Sequence, residues 1–313
     1  MISLFLAAAA LAQPAPAQNH PAPKPTPKPT LFASGKVETV NGITFSPDGN
    51  TVFNAFMRRD PRSPESFGGV RMEICTQTFD GARWSLPRIA EFSGKHNDYE
   101  PFLSADGKRL FFMSSRPRPG TDKDWIPQDV WVVERDASGV PNQREKWGGW
   151  GTPRFIPEAS SDGYDGYPCE TADGTLFFAS DREGGKGSVD LWCVPKAETG
   201  YGEPINLSDI NGPEIETDPV LPPDGSFIIF QSVPKDAPFS ACELAVSFRI
   251  TKDGIADNKA RWTKPVLITR INTADGEISP ALTPDGKSLL YLSGPKLMQA
   301  DLAWALDGLK PLP

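Results

Sequence analysis

The chain has 313 residues, of which 28 are Gly and 33 are Pro, so about a fifth of its positions interrupt regular backbone. That density excludes a helical bundle or an ordinary α/β enzyme, because Gly and Pro cost about 1 and 3 kcal/mol in a helix interior. A formal charge of −8 with only 32 Lys+Arg excludes a nucleic-acid backbone as partner, and two His leave little for His-rich metal sites or general-base chemistry.

In chain order the first element is an apolar run at 2–12, ISLFLAAAALA, too short to span a bilayer. Small-x-small sites follow at 10–12 and 15–17, so residues 1–17 read as a secretory signal peptide cleaved between Ala17 and Gln18. No Lys or Arg precedes the run, which leaves an uncleaved apolar tail or a mistaken start site as alternatives. No Cys near the cleavage site offers a lipid acceptor. Residues 18–30 form a Pro/Lys-rich extended linker. No later segment is long and apolar enough to cross a membrane, so the expectation is a periplasmic or secreted protein.

From there one unit repeats over 31–313, expected as a single domain. An x-x-Asp-Gly turn recurs with its Asp at Asp48, Asp106, Asp173, Asp224 and Asp285, spaced by 58, 67, 51 and 61 residues. Asp-Gly between apolar runs is a hairpin signal, because Gly takes positive φ at no steric cost and Asp tolerates it. An apolar strand follows each turn, such as RLFFMS or TLFFAS. Pro stands five residues before the Asp in four copies (Pro101, Pro168, Pro219, Pro280), with Ile43 in the first. A second landmark, aromatic-x-x-Pro, begins at Trp84, Trp150, Tyr201 and Trp262, always 22 or 23 residues before the next turn Asp. Third strands are expected at GVRMEICTQ, DVWVVE, VDLWCV, CELAVSF and ADLAWAL.

Each unit thus holds about four short strands, the content of one propeller blade. The last copy lacks a fourth strand, and the segment beginning at Pro29 lies 19 residues before Asp48, as Pro87 lies 19 before Asp106. The N-terminal strand is therefore expected to complete the final blade and close the ring. The stretches DYEPFLSADGKRLFFMSSR (98–116) and GYPCETADGTLFFASDR (166–182) carry the fullest form of the motif: Pro-x-φ-Ser-x-Asp-Gly, an apolar strand, then Ser-x-Arg. This resembles the TolB-like propeller repeat over roughly residues 35–310. The resemblance implies an all-β propeller, here standing alone without the folded N-terminal domain of TolB. Five blades of four antiparallel strands follow from the spacing. Six, as in TolB itself, would require a degenerate copy and is the alternative.

Several side chains are candidates for function. Eight residues before the turn Asp stand Asp98, Asp165, Glu216 and Glu277, with Val40 in the first copy; Glu100 and Asp218 add carboxylates six residues before it. Equivalent positions in a ring converge, so up to six carboxylates are expected around one funnel. They could hold a cation such as Ca²⁺, or they could serve only to satisfy loop ends. Two long loops carry cations and an aromatic: Arg58, Arg59, Arg62 and Phe67 in 57–69, and Arg116, Arg118, Lys123 and Trp125 in 114–129. They are candidates for contact with a protein, peptide or glycan of the cell envelope, as is the off-repeat Trp147. Arg116 and Arg182 also occupy the repeat's own Arg position, where an inter-blade salt bridge is the competing expectation. Cys75, Cys169, Cys193 and Cys242 fall in strands of several blades and read as buried thiols rather than bridges. His96 reads as an exposed loop residue. No nucleophile elbow, P-loop, dinucleotide fingerprint or zinc spacing occurs. The enzymatic alternative is a glycosidase using Glu100 with Asp218 or Glu277 as acid and base. The leading expectation is a non-catalytic binding propeller with no required cofactor.

Overall fold

A computed structural model describes residues 28–60, 69–122, 127–135, 148–234, 236–238, 241–250 and 261–309. Its local organiser is the Asp-Gly turn. In the second blade, Ser104 donates to Asp106 Oδ1 at 2.6 Å and accepts from the Arg109 N–H at 3.0 Å, while Asp106 accepts from the Lys108 N–H at 3.0 Å. Gly107 then takes φ 69°, where a Cβ is disfavoured. The same arrangement recurs at Ser46–Asp48 and Thr283–Asp285, and Thr171–Asp173 keeps the hydroxyl–carboxylate bond. Each turn joins a first to a second strand.

The strands assemble into five antiparallel sheets, blades I to V. Their first strands are Ile43–Phe45, Asp98–Leu103, Asp165–Glu170, Ile215–Val220 and Glu277–Leu282. The second strands are Thr51–Arg59, Arg109–Ser114, Leu176–Ser180, Phe227–Val233 and Ser288–Ser293. Third strands are Val70–Thr78, Asp129–Glu134, Asp190–Val194, Glu243–Ile250 and Lys296–Asp301. The fourth strands of blades I to IV are the two-residue Arg88–Ile89, Arg154–Phe155, Ile205–Asn206 and Val266–Leu267. Blade V takes its fourth strand from the N-terminal side: Thr30 pairs with Gln299 and Leu31 with Met298. Five blades closed by the N-terminal strand are what the spacing predicts.

The aromatic of each aromatic-x-x-Pro landmark pairs at the end of the third strand or just beyond it, as Phe79↔Trp84, Arg135↔Trp150, Lys196↔Tyr201 and Arg249↔Trp262. The ring is thereby laid on the preceding blade. Trp150 meets Phe53 edge-on at 5.7 Å, Trp262 meets Phe177 at 6.4 Å, and Trp84 meets Phe32 of the closing segment at 6.3 Å. The apolar core accordingly lies between sheets, with Phe53, Ile74, Leu110 and Phe112 filling the space between blades I and II.

Two expectations fail. ADLAWAL is not the third strand of blade V. Gly294, at φ 54°, sits in a tight turn that sends the chain back at Lys296, and Asp301 then caps the short helix Leu302–Leu306 by accepting from the Trp304 N–H at 2.8 Å. Trp304 is therefore helical. Arg116 and Arg182 differ from the expected inter-blade bridge as well: among the described residues each pairs with the first-strand carboxylate of its own blade, Asp98 at 3.1 Å and Asp165 at 2.9 Å. An inter-blade ion pair is made instead by Arg109 of blade II and Glu170 of blade III, at 3.0 Å.

All four cysteines are free thiols, Cys75, Cys169 and Cys242 buried and Cys193 partly so. Among the described residues no helix is long and apolar enough to cross a membrane.

Candidate functional site

The first strands line the axis of the ring, and four of them carry the same irregularity. Between Tyr99 and Phe102, Gly166 and Cys169, Thr217 and Val220, and Ile278 and Ala281 the register slips, two residues facing one on the second strand. The first extra residue is left-handed in every case: Glu100 (φ 50°), Tyr167 (54°), Asp218 (51°) and Ser279 (51°). The second is the repeat's Pro, which fits because a bulge position needs no ladder donor. Gly42, at φ 61°, is the counterpart in blade I. This ring of five left-handed residues had no side-chain signature in the sequence; only Gly42 hints at positive φ.

From this ring a cavity of about 300 Å³ runs towards the Asp-Gly turns, reaching Pro47, Ala105, Pro223 and Pro284. Its walls are mostly apolar, with Pro101, Phe102, Pro219, Val220, Pro280 and Leu282 among them. Glu100 and Asp218 belong to its lining and are only 6% and 7% exposed. Gly42 makes room for Glu100, since a Cβ there would lie 2.5 Å from Glu100 Oε2 and 2.8 Å from its Cα. Burial pushes Asp218 up to about 8. Burial, and then the neighbouring Asp218, push Glu100 well above the ordinary carboxylate range. Among the described residues Glu100 Oε1 has no hydrogen-bond partner.

The other four candidate acids serve the loops that enter their own blades. Asp98 accepts from Ser93 at 2.8 Å and Ser114 at 2.7 Å and pairs with Arg116; burial pushes it up against these partners. Asp165 accepts from the Ser161 N–H and hydroxyl and from Arg182. Glu277 accepts from the Thr273 N–H and hydroxyl, both at 2.7 Å, and from Ser293. Glu216 accepts from the Gly212 N–H, and burial pushes it up to about 7. Thus two of the six carboxylates line the cavity, while four tie loop to strand. Among the described residues no group of three or more His, Cys, Asp or Glu is placed to hold a metal ion.

The loop candidates lie on the opposite face, at the far ends of the second strands. Arg118 grips Asp129 through two bonds of 2.8 and 2.7 Å and reaches Asp162 and the Ser161 carbonyl of the next blade. Arg58, half-exposed, pairs with the buried Glu73. Arg59 is exposed at the strand end, and Met57, on the same strand face, is 55% exposed. Arg62, Phe67, Lys123, Trp125 and Trp147 lie outside the described residues. His96 is half-buried beside Asp98 rather than exposed.

No protein-family model matches the chain, and no curated protein sequence does. Among solved structures it is similar to the α-L-arabinofuranosidase of Lactobacillus brevis, at 14% identity and a TM-score of 0.51, covering 84% of this chain and 90% of that one. The endo-arabinase of Bacteroides thetaiotaomicron gives 12% identity and 0.50, covering 87% and 96%. TolB of Acinetobacter baumannii gives 16% identity and 0.45 over 84% of this chain, which spans about half (54%) of that TolB. At such identities the similarity shows the propeller fold alone.

Proposed function

We propose that the protein is an exported, non-catalytic propeller that binds a protein, peptide or glycan of the cell envelope through the face bearing its second-to-third-strand loops. The asymmetry of that face carries the reading. Blade I extends its central hairpin to strands of 9 residues, with Arg59 opposite Val70, where blade III uses strands of 5. The extension presents exposed Met57 beside exposed Arg59, an apolar and a cationic contact on one strand face. Long elements projecting from a rigid ring are typical binding apparatus. Export rests on the apolar 2–12 run and the small-x-small site before Gln18. It predicts a mature chain beginning at Gln18, which mass spectrometry of the native protein checks.

The binding test uses Met57→Asp with Arg59→Glu, neighbours of the Arg58–Glu73 ion pair that leave both of its partners in place. Crosslinked partner recovered from the cell envelope should fall at least tenfold, roughly 1.4 kcal/mol. Leu86→Asp, at the 85% exposed rim, is the control and should leave recovery unchanged. Equal recovery from the double variant would overturn the loop-face reading.

Hydrolysis is the second reading, favoured by Glu100 and Asp218 lining one cavity. Acid–base cleavage of a glycoside requires one ionised carboxylate facing one protonated acid. Burial favours the protonated form of both, which disfavours the ionised partner that cleavage needs, so binding is preferred. The hydrolytic reading predicts turnover of an aryl glycoside, α-L-arabinofuranosides included, that is lost in Glu100→Gln. No turnover across a broad panel removes it.

A further inference from the structure

The position that carries Glu100 and Asp218 is filled by Gly42, Tyr167 and Ser279 in the other blades. The bulge therefore demands a left-handed backbone, and nothing in the repeat demands an acid. Left-handed non-Gly residues cost of order 1–3 kcal/mol and gather at ligand sites. Neither carboxyl enters an ion pair among the described residues, and Glu100 Oε1 is buried without a hydrogen-bond partner. Two acids facing an apolar cavity with no basic neighbour are costly to the fold, so the repeat's structural needs do not account for them.

The cavity, about 300 Å³, is roughly twice the ~150 Å³ apolar cavity that holds one benzene. It is lined by Glu100 and Asp218 of the bulge ring, by Glu170, which is ion-paired to Arg109 at 3.0 Å, and by Pro, Phe, Val and Leu walls along its length. Hard cations such as Ca²⁺ require six to eight oxygen ligands, which this lining does not assemble. The pairing of an acidic end, ionisable when a cation enters, with an apolar shaft suits a positively charged head on an apolar body.

We propose that the axial cavity binds a small organic ammonium ion, its head between Glu100 and Asp218 and its apolar body against Pro101, Phe102, Val220 and Leu282. The site lies at the turn-face end of the axis and is independent of the loop-face reading. The titratable groups around the pair are Tyr99 of blade II, Tyr164 and Tyr167 of blade III, and Cys242 of blade IV, with Glu277 of blade V beyond Cys242; Glu170 lines the same cavity and is already paired with Arg109. Burial pushes the three phenols and the thiol up, so all four are neutral at neutral pH. An entering ammonium therefore draws its counter-charge from the pair itself, and binding releases about one proton.

The test is isothermal titration of the full chain with 2-phenylethylammonium chloride at neutral pH, in two buffers of different ionisation enthalpy. 2-Phenylethanol is the neutral isostere. The expected result is saturable binding of the ammonium, proton release revealed by the buffer dependence, and at least tenfold weaker binding of the alcohol. Glu100→Gln and Asp218→Asn should each weaken the ammonium at least tenfold without lowering the melting temperature. No binding at millimolar ligand, equal binding of the alcohol, or unchanged affinity in both variants overturns the site. Should a variant not fold, the wild-type contrast between ammonium and alcohol decides by itself.

Discussion

Glu100 and Asp218 are also a liability whose sign can be worked out. Burial raises the folded-state pKa of both carboxyls, Asp218 to about 8, while an unfolded Asp titrates near ~3.9. Between those values the folded chain holds more protons than the unfolded one, so stability declines as pH rises from about 4 to about 8. Glu170 and Glu216, both raised to about 7 chiefly by burial, act in the same direction. The melting temperature should therefore fall across this window. Asp218→Asn should flatten the decline and melt higher than wild type at its upper end. A profile unchanged by the substitution would show that Asp218 is solvated in the folded protein. The thiols give a second residue-scale expectation. Burial pushes Cys75, Cys169 and Cys193 up to about 12 and Cys242 to about 11, which leaves almost no thiolate at neutral pH. Ellman's reagent should label the native chain slowly, whereas all four thiols should react once denaturant is added.

Single hydroxyls set the turns from which the strands are built. Ser104 is 3% exposed and serves both Asp106 and the Arg109 N–H. Ser104→Ala orphans that N–H and should cost about 2 kcal/mol, read as a lower urea midpoint with unchanged slope. Blade IV, where Pro222 replaces the hydroxyl, keeps the Asp224 bond to the Ser226 N–H without the hydroxyl's own bonds. Turn chemistry of this kind is local, and so the five hairpins and the aromatic-x-x-Pro strands were legible in the sequence. The third strand of blade V was not: ADLAWAL has a strand's apolar content, and the reversal at Gly294 that places it beyond the strand depends on two residues. The partners of Arg116 and Arg182 were misread because spacing shows that a cation recurs but not which carboxylate it meets. The axial site was legible only as a list of acids. What divides Glu100 and Asp218 from Asp98, Asp165, Glu216 and Glu277 is the bulge, a backbone property shared by residues as unlike as Gly, Tyr and Ser.

Closure of the ring is a property of the whole molecule that rests on a small contact. The closing ladder is two pairs, Thr30↔Gln299 and Leu31↔Met298. Two pairs are weak on their own, and the adjoining Phe32 supplies what they lack. Its ring packs edge-on against Phe45 at 5.7 Å and lies 6.3 Å from Trp84, so it joins the segment completing blade V to the apolar core of blade I. Phe32→Ala keeps the ladder and removes this wedge. For a half-buried ring that should cost about 2 kcal/mol, below the 3–5 of a fully buried one. The melting temperature should drop by roughly 4–8 °C. Removing residues 1–35 takes the ladder as well and leaves Lys296–Asp301 as an unpaired edge along blade V. An open edge is a template for another chain. The truncated protein should therefore melt well below Phe32→Ala and form higher oligomers as its concentration rises, seen by light scattering. If it stayed monodisperse and melted like the full chain, the N-terminal strand would be ornamental, and blades I and V would be held together by their facing cores alone.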